Sequence, residues 1–299
     1  MALPASDAAR FCFTVGGIEF LVVDFTATEK VSELFGVRLN LASKDRVPCQ
    51  AVLGHSGCLT IQGRDHERCF HGLVTEFFCR EQPGRLERYE ARLAPQAALL
   101  DLRSDCRIFA GLTVPQIVAQ VFKAAGLDPE GWAFRLQGKY PPRQHCVQYR
   151  ESDLCFVRRL LAHEGIYFFF EHDRQHHRMV FGDSPAAYGR IAGDRSLDYH
   201  PGAGLAAEHE AIVDWTRTFS LTSDRAALGD YNFEKPALDL TTASSCENKG
   251  RTHYDYPGGY LLPEEGQRLS RVREEQQRMY RDLAEGRSTE PGQIGRAHV

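Results

Sequence analysis

Gly54-His55-Ser56-Gly57-Cys58 is the nearest approach in this sequence to a nucleophile motif. It follows G-x-S-x-G up to its last position, where Cys58 stands in place of glycine. In that motif a strand-to-helix turn lifts the serine above a parallel sheet, within reach of a base. Here Leu59-Thr60-Ile61 follows and predicts another strand, so the segment reads as a β-turn. His172, His176 and His177, with Glu171 and Asp173, are zinc-ligand residue types. A metal needs them held in one geometry, with further ligands converging. Arg174-Gln175 instead predicts a hairpin tip between Ile166–Phe170 and Met179–Phe181, so these histidines read as a solvated turn. His163-Glu164-Gly165 lacks the second histidine of HExxH. The carboxylate pairs Glu264-Glu265 and Glu274-Glu275 read as helix solubility and dipole partners. No Gly-rich loop leads into Lys-Ser or Lys-Thr, so a phosphate loop is not predicted. No catalytic, cofactor-binding or metal-ligating residue is assigned.

Composition narrows the function classes. The 299 residues exceed one small domain and suggest about two. A net charge of −4, with no basic run interleaved with aromatics, argues against nucleic-acid binding. Arg143, Arg150, Arg158 and Arg159 lie close in sequence, but acidic neighbours accompany them, which predicts a solvated or interface face. No segment approaches ~18 consecutive apolar residues, so stable membrane insertion is not expected. The start, MALPASDAAR, lacks a basic region followed by an apolar run, so any export is expected to use a route that reads no signal peptide. Nine cysteines are scattered singly from Cys12 to Cys246 without a CxxC pair. They are expected to be reduced, buried thiols.

The elements that would position such groups are mostly strands. Phe11–Val15, Gly17–Phe25, Phe35–Leu41, Cys58–Ile61, Cys69–Cys79 and Leu86–Leu93 alternate and are separated by turn residues. The last two read as a hairpin across Gln82-Pro83-Gly84-Arg85, and the set suggests a barrel or sandwich. The character changes at residue 101. Thr113 and Gln116 form a capping box with Pro115 in the first turn. Ile117, Val118, Val121 and Phe122 make an apolar helical face that ends at Gly126.

Tyr149–Asp173 carries the strongest local pattern. Ser152 can cap a helix, Asp153 lies at its positive end, and Leu154, Val157, Leu160 and Leu161 share a face. Gly165 suits the left-handed position after the last turn. Ile166–Phe170, reading IYFFF, predicts a strand covered on both sides. Further on, Ile212–Leu221, Gly229–Phe233 and parts of Leu238–Thr242 look like strands, and Tyr254–Tyr260 like an aromatic turn. After Pro263 a helix of about five turns is expected. Its seam Leu269, Val272, Gln276, Met279 and Leu283 fits a helix resting on its own domain or one facing a symmetry mate.

Tyr149-Arg150-Glu151-Ser152-Asp153, the helix after it, and Glu164-Gly165-Ile166-Tyr167 are similar to the hallmark of the VgrG family, the valine-glycine repeat spike proteins of bacterial type VI secretion. Phe70-His71-Gly72-Leu73-Val74, Asp105-Cys106-Arg107-Ile108-Phe109 and Tyr140-Pro141-Pro142-Arg143 also resemble that family, in matching order. So do Asp230-Tyr231-Asn232-Phe233 and Tyr254-Asp255-Tyr256-Pro257-Gly258-Gly259-Tyr260. The resemblance covers nearly all of residues 10–292.

The resemblance implies a β-rich α+β fold like the baseplate hub of contractile-tailed phages. Two barrel-like β domains are expected, over 8–100 and 186–262, with a mixed α/β insertion over 101–185 between them. Residues 263–292 are expected to form a C-terminal helix and a linker toward a further barrel and needle. The implied function is structural: a homotrimeric hub that caps the hexameric inner tube protein, helps puncture target cells and delivers effectors. Implied partners are that tube protein, baseplate components, effectors and adaptor chaperones, with no cofactor. The implied location is the cytoplasm during assembly, then the target cell or medium. Alternatives are a hub of a phage or phage-derived contractile tail, a serine hydrolase using Ser56, and a toxin-bearing spike. Residues 293–299, QIGRAHV, resemble a translated sequencing adapter, so the reading frame is expected to be truncated there.

Overall fold

Between Arg10 and Ala94 the alternation of apolar and polar side chains is realised as six antiparallel strands closed into a barrel. The computed structural model describes residues 10–62, 67–80, 85–189, 198–199, 211–245 and 250–288. The barrel strands are β1 (Arg10–Val15), β2 (Ile18–Thr28), β3 (Gly36–Ser43), β4 (Ser56–Gln62), β5 (Glu67–Arg80) and β6 (Glu87–Ala94). Their order around the barrel is β1-β2-β3-β6-β5-β4, and pairing of β1 with β4 closes it. The six predicted strands match these to within a few residues at their ends. Closure leaves no free edge along the wall. Alternate residues point inward, so Phe13, Phe20, Leu39, Leu41, Leu59, Ile61, Phe70 and Leu93 fill the interior. Val47 donates its N–H to the buried Tyr89 hydroxyl at 2.8 Å, tying a loop to the wall. Gly72 lies opposite Gly57 in the β4–β5 register. A Cβ on Gly72 would lie 2.7 Å from the Ala94 carbonyl oxygen and 3.0 Å from the Leu93 side chain, so this close approach requires glycine. The predicted hairpin pairs β5 with β6. Residues 81–84 of its turn lie outside the described residues.

The chain divides into two compact units. The first holds the barrel and most of the insertion, namely described residues 10–160 and 166–189. After the barrel come β7 (Ser104–Phe109), α1 (Val114–Ala124), β8 (Trp132–Arg135), β9 (Cys146–Ser152), α2 (Asp153–Glu164), β10 (Tyr167–His172) and β11 (His177–Gly182). Strands β7 and β9 pair antiparallel, and β10-β11-β8 form a second sheet. Helix α1 begins as predicted: Gln116 N–H donates to Thr113 Oγ1, and Thr113 N–H to Gln116 Oε1. It is followed by Gly126 at φ +73°. At the start of α2, Ser152 Oγ accepts from Cys155 N at 3.1 Å. Leu154, Val157, Leu160 and Leu161 are buried, as is Phe156, which stacks on Phe109 at 5.6 Å. Burial of one such phenylalanine contributes about 2–3 kcal/mol.

The IYFFF strand is covered on both faces. Phe168 meets Phe181 and Phe170 meets Phe35 on one side, while Phe169 meets Tyr188 on the other. Strand β11 runs parallel to β8, a pairing with no local sequence signal.

The second unit comprises described residues 161–165, 198–199, 211–245 and 250–288. It contains β12 (Asp198–Tyr199), β13 (Ala211–Phe219), β14 (Arg225–Leu228), β15 (Thr242–Ser245), β16 (Thr252–Asp255), α3 (Pro263–Arg278) and β17 (Asp282–Ser288). Among the described residues these strands make two three-stranded sheets, β12-β13-β17 and β15-β14-β16.

Three expectations are corrected here. Gly229–Phe233 is not a strand; the strand ends at Leu228 and a turn follows. Asn232 Oδ1 accepts from the N–H groups of Glu234 and Lys235, so the side chain replaces a ladder partner and turns the chain. Helix α3 has 16 residues and stops at Met279, leaving Leu283 of the predicted seam in β17. The helix rests on its own sheet: Leu269 packs with Leu228, Leu240 and Tyr260, while Gln276 and Met279 are exposed. The cysteines are not uniformly buried. Cys58 and Cys146 are, but Cys49, Cys79, Cys106 and Cys155 are exposed, because strand alternation points several of them outward. Cys246 and residues 293–299 lie outside the described residues.

Gly165 has φ +75°, and a Cβ there would lie 2.8 Å from a methyl of Val272 on α3. Gly165→Val is expected to lower stability by about 2 kcal/mol or more, through left-handed strain plus this overlap. An unchanged melting temperature would contradict that account.

Candidate functional site

A cavity of about 350 Å³ opens where the β10–β11 hairpin meets the barrel. Ser56, His71, Gln96, His172, His176 and His177 are among its lining residues. The structure therefore brings Ser56 and the histidine group to one place, and adds His71, which the sequence presented only as part of a strand.

The tip residues 173–176 are exposed, as a solvated turn requires. His172 and His177 depart from that expectation. They are the last and first residues of paired strands, and they turn inward onto aromatic rings of the barrel side. The His172 side chain is 5% exposed and meets Phe35 at 4.7 Å and Phe70 at 5.4 Å between ring centres. His177 meets Phe35 at 5.8 Å and His71 at 5.3 Å.

Backbone donors fix the ring tautomers. Gln96 N–H donates to His177 Nε2 at 2.9 Å, so neutral His177 carries its proton on Nδ1. That Nδ1 lies 3.1 Å from His71 Nδ1, which must then accept. His71 N–H donates to His172 Nδ1 at 3.3 Å, leaving the His172 proton on Nε2. His172 Nε2 faces Glu29 Oε1 at 3.3 Å, off the axis a hydrogen bond needs, and Glu29 pairs with Arg68. Burial, then the neighbouring histidines, pushes His177 down to about 3; burial likewise holds His71 below its ordinary value.

Neither hydrolase nor metal chemistry, both set aside in the reading of the motifs, gains a contact from this arrangement among the described residues. Gln96 N–H occupies His177 Nε2, and among the described residues no three His, Cys, Asp or Glu side chains are placed to hold a metal ion together. Among the described residues no hydrogen bond joins Ser56 to a histidine. Ser56 opens strand β4, paired opposite Leu73, with no helix following. Of the thiols, burial followed by Glu19 pushes Cys12 up to about 11, and burial followed by Glu67 pushes Cys69 up to about 12. Both are protonated at neutral pH and are poor nucleophiles. In His163-Glu164, His163 Nε2 lies 3.1 Å from the Gly258 carbonyl oxygen, and buried Glu164 takes a bond from Arg268. Glu264 and Glu265 occupy the first turn of α3, as expected of dipole partners. Glu274 differs from its partner: it continues the buried stripe of Gly266 and Ser270, while Glu275 is exposed.

The remaining family-like motifs are structural knots built on aspartates. Asp153, 1% exposed, accepts from Arg103 at 3.2 Å, from Gln148 at 2.9 Å and from Arg107. This joins Tyr149–Asp153 to Asp105–Phe109, segments of the paired strands β9 and β7. Asp183 accepts from the N–H groups of Gln137 and Gly138 and from the Tyr140 hydroxyl, fixing the Tyr140-Pro141-Pro142 segment. In the second unit Asp230 accepts from Tyr231 N, Gly259 N and Tyr260 N. The buried Tyr260 hydroxyl sits between the carbonyls of Leu228 and Leu240, 3.2 Å from Thr242 Oγ1. Sequence reading quoted these motifs separately; the structure shows that Asp230-Tyr231-Asn232 and Gly258-Gly259-Tyr260 are two halves of one turn.

A closed barrel followed by an aspartate-knotted insertion is a scaffold whose described polar groups serve structure. The profile of the phage tail baseplate hub (GPD) family matches residues 28–294, and the chain belongs to that family. It is 34% identical over 296 residues to the type VI secretion system spike protein VgrG4b of Pseudomonas aeruginosa, covering 96% of this chain and 36% of that protein. VgrG1c of the same organism is 34% identical over 254 residues, covering 82% of this chain and 34% of that protein. The chain thus spans about a third of the length of the curated relatives it matches. The solved structure of the E. coli c3393 protein has a TM-score of 0.68 at 24% identity, covering 93% of this chain and 63% of that one. That protein is described as a type VI secretion component with structural similarity to the T4 bacteriophage tail proteins gp27 and gp5. The resemblance to VgrG read from the motifs is borne out by these relatives.

Asp153 should dominate local stability. Asp153→Ala removes the buried carboxylate that Arg103, Arg107 and buried Gln148 share, leaving Arg107 to Gln148 and Asp105 alone, and is expected to cost about 3–5 kcal/mol. Glu151→Ala removes the more exposed pair with Arg159 and is expected to cost about 1 kcal/mol or less. Denaturant titration of the two variants checks the difference.

Proposed function

We propose that this chain forms the hub portion of a type VI secretion spike and acts by assembly. The observation that carries this reading is the 34% identity to a spike protein across 96% of the chain. Three copies form the hub, and their barrels present a pseudo-sixfold surface to the hexameric inner tube protein. Baseplate components surround it during assembly in the cytoplasm. Sheath contraction then drives the full-length protein, with its effectors and their adaptor chaperones, into a target cell or the medium. No helix among the described residues is long and apolar enough to cross a membrane, and delivery by a machine calls for none.

The role is mechanical and not enzymatic. Among the described residues no hydrogen bond joins the Ser56 hydroxyl to a histidine, and Asp153, Asp183 and Asp230 are committed to structural bonds. Ser56→Ala is expected to leave any ester or peptide hydrolysis by the purified chain at background. Loss of a robust activity in that variant would overturn the non-enzymatic reading.

Assembly is tested by light scattering and tube binding. The purified chain, mixed with the inner tube protein, is expected to form trimers that bind tube hexamers one to one. A monodisperse monomer at high concentration that leaves the tube protein unbound would overturn the hub reading. The phage-tail alternative predicts binding to a phage tube protein in preference to the type VI one.

A further inference from the structure

We propose that His71 and His177, with His172 as the neighbouring acceptor, form a proton-operated latch: with His71 and His177 neutral, the rings hold the β10–β11 hairpin against the barrel; protonation of those two releases it. The basis is a count of ring nitrogens. Each neutral imidazole has one nitrogen able to take a proton, and in all three rings that nitrogen already faces a donor. His177 Nε2 faces Gln96 N–H, His172 Nδ1 faces His71 N–H, and His71 Nδ1 faces His177 Nδ1–H. Each of these bonds joins the barrel side to the hairpin. His71 lies on β5 and Gln96 just after β6, whereas His172 and His177 close the ladder of the hairpin at its tip. Neither His71 nor His177 can gain a proton without setting two N–H groups against each other and breaking one of these bonds.

Neighbouring charges do not relieve this. Glu29 faces His172 but is paired with Arg68. At the tip Asp173 lies 3.7 Å from His176, and Arg174 pairs with Glu67. Glu171 is paired with Arg135, and Arg178 donates to the Glu130 carbonyl oxygen. Asp128 and Glu130 line the cavity.

The sign follows from linkage. His177 and His71 are held below the ordinary histidine value in the closed form, chiefly by burial, and return to ~6.5 when the hairpin opens. The open form therefore binds more protons. The latch is at full strength above ~6.5 and weakens as pH falls from there toward 3. One proton makes the open population grow about tenfold per pH unit, and a second makes it steeper. Glu67, bonded by Arg174, stays below its ordinary value. So does Asp173, where bonds from Gln175 and His176 outweigh burial. A window from about pH 7.5 to about pH 5 therefore spans histidine titration while these carboxylates remain ionised.

Hydrogen exchange of the whole chain, corrected for the intrinsic rate at each pH, tests the latch. Peptides spanning 167–182 and 94–98 are expected to lose protection about tenfold per pH unit below ~6.5, while the β1–β2 hairpin and α1 keep theirs. His177→Gln, which can accept from Gln96 N–H but does not titrate, is expected to flatten that dependence. Imidazole nitrogen shifts of the unaltered chain give an independent reading, with Nδ1–H at His177 and Nε2–H at His71 and His172. Protection of the hairpin that does not change with pH, or an Nε2–H tautomer at His177, would overturn the proposal. So would a folded His177→Gln chain that keeps the full pH dependence.

Discussion

The carboxylate of Asp153 is the contact on which the insertion depends. A buried carboxylate is tolerable only if its lone pairs are filled, and the three donors here come from two segments, 103–107 and the strand of Gln148. Arg103 follows the 3-10 turn after the barrel, Arg107 is on β7 and Gln148 on β9. Satisfying one anion therefore sets the β7–β9 register, the start of α2 and the exit of the chain from the barrel together. Asp153 N–H also donates to the Arg103 carbonyl at 2.9 Å, so the backbone closes the same loop. Helix-dipole stabilisation, the role its sequence position suggests, is the smaller effect beside this network.

Asp183 and Asp230 repeat the device with backbone donors in place of guanidinium groups. Each gathers N–H groups from a segment distant in sequence, 137–138 for Asp183 and 259–260 for Asp230, and Asp230 adds that of its neighbour Tyr231. Such N–H groups would otherwise be unpaired turn donors, so one aspartate replaces several ladder bonds. The Asp230 knot borders the apolar cluster of Leu228, Leu240, Tyr260 and Leu269, so polar bonds fix the turn that delivers Tyr260 into it.

What was legible in the sequence follows from the range of the forces involved. The barrel strands, the Thr113–Gln116 capping box, the Ser152 cap and Gly165 at positive φ are local, so residue type and spacing predict them. The β11–β8 pairing and the His71–His177 contact join residues far apart in the chain, the latter by 106 positions, and no spacing rule reports them. Gly229–Phe233 misled because Tyr231 and Phe233 alternate like a strand, whereas Asn232 turns the backbone on itself. The seam through Leu283 misled because heptad spacing continues past Met279, where the helix ends. For the candidate site, the sequence supplied Ser56, His172, His176 and His177 but not His71 or Gln96. A histidine inside a strand and a glutamine after one carry no sign of the ring and the backbone donor that face them.

A catalytic centre keeps some groups incompletely satisfied, so that a substrate can complete them. In the histidine cavity the three ring acceptors already have donors, and among the described residues no hydrogen bond joins Ser56, at the start of strand β4, to a histidine. Barrel closure removes free sheet edges in the same spirit, and the aspartate knots remove free turn donors. Polar groups committed in this way hold the backbone around them in one arrangement. The histidines add the one element whose commitment depends on proton activity, because imidazole alone among these groups changes charge near neutral pH. Stiffness over most of the unit and a titratable joint at one hairpin are thus two results of the same rule, that a buried polar atom holds its place only while its partner has the right protonation.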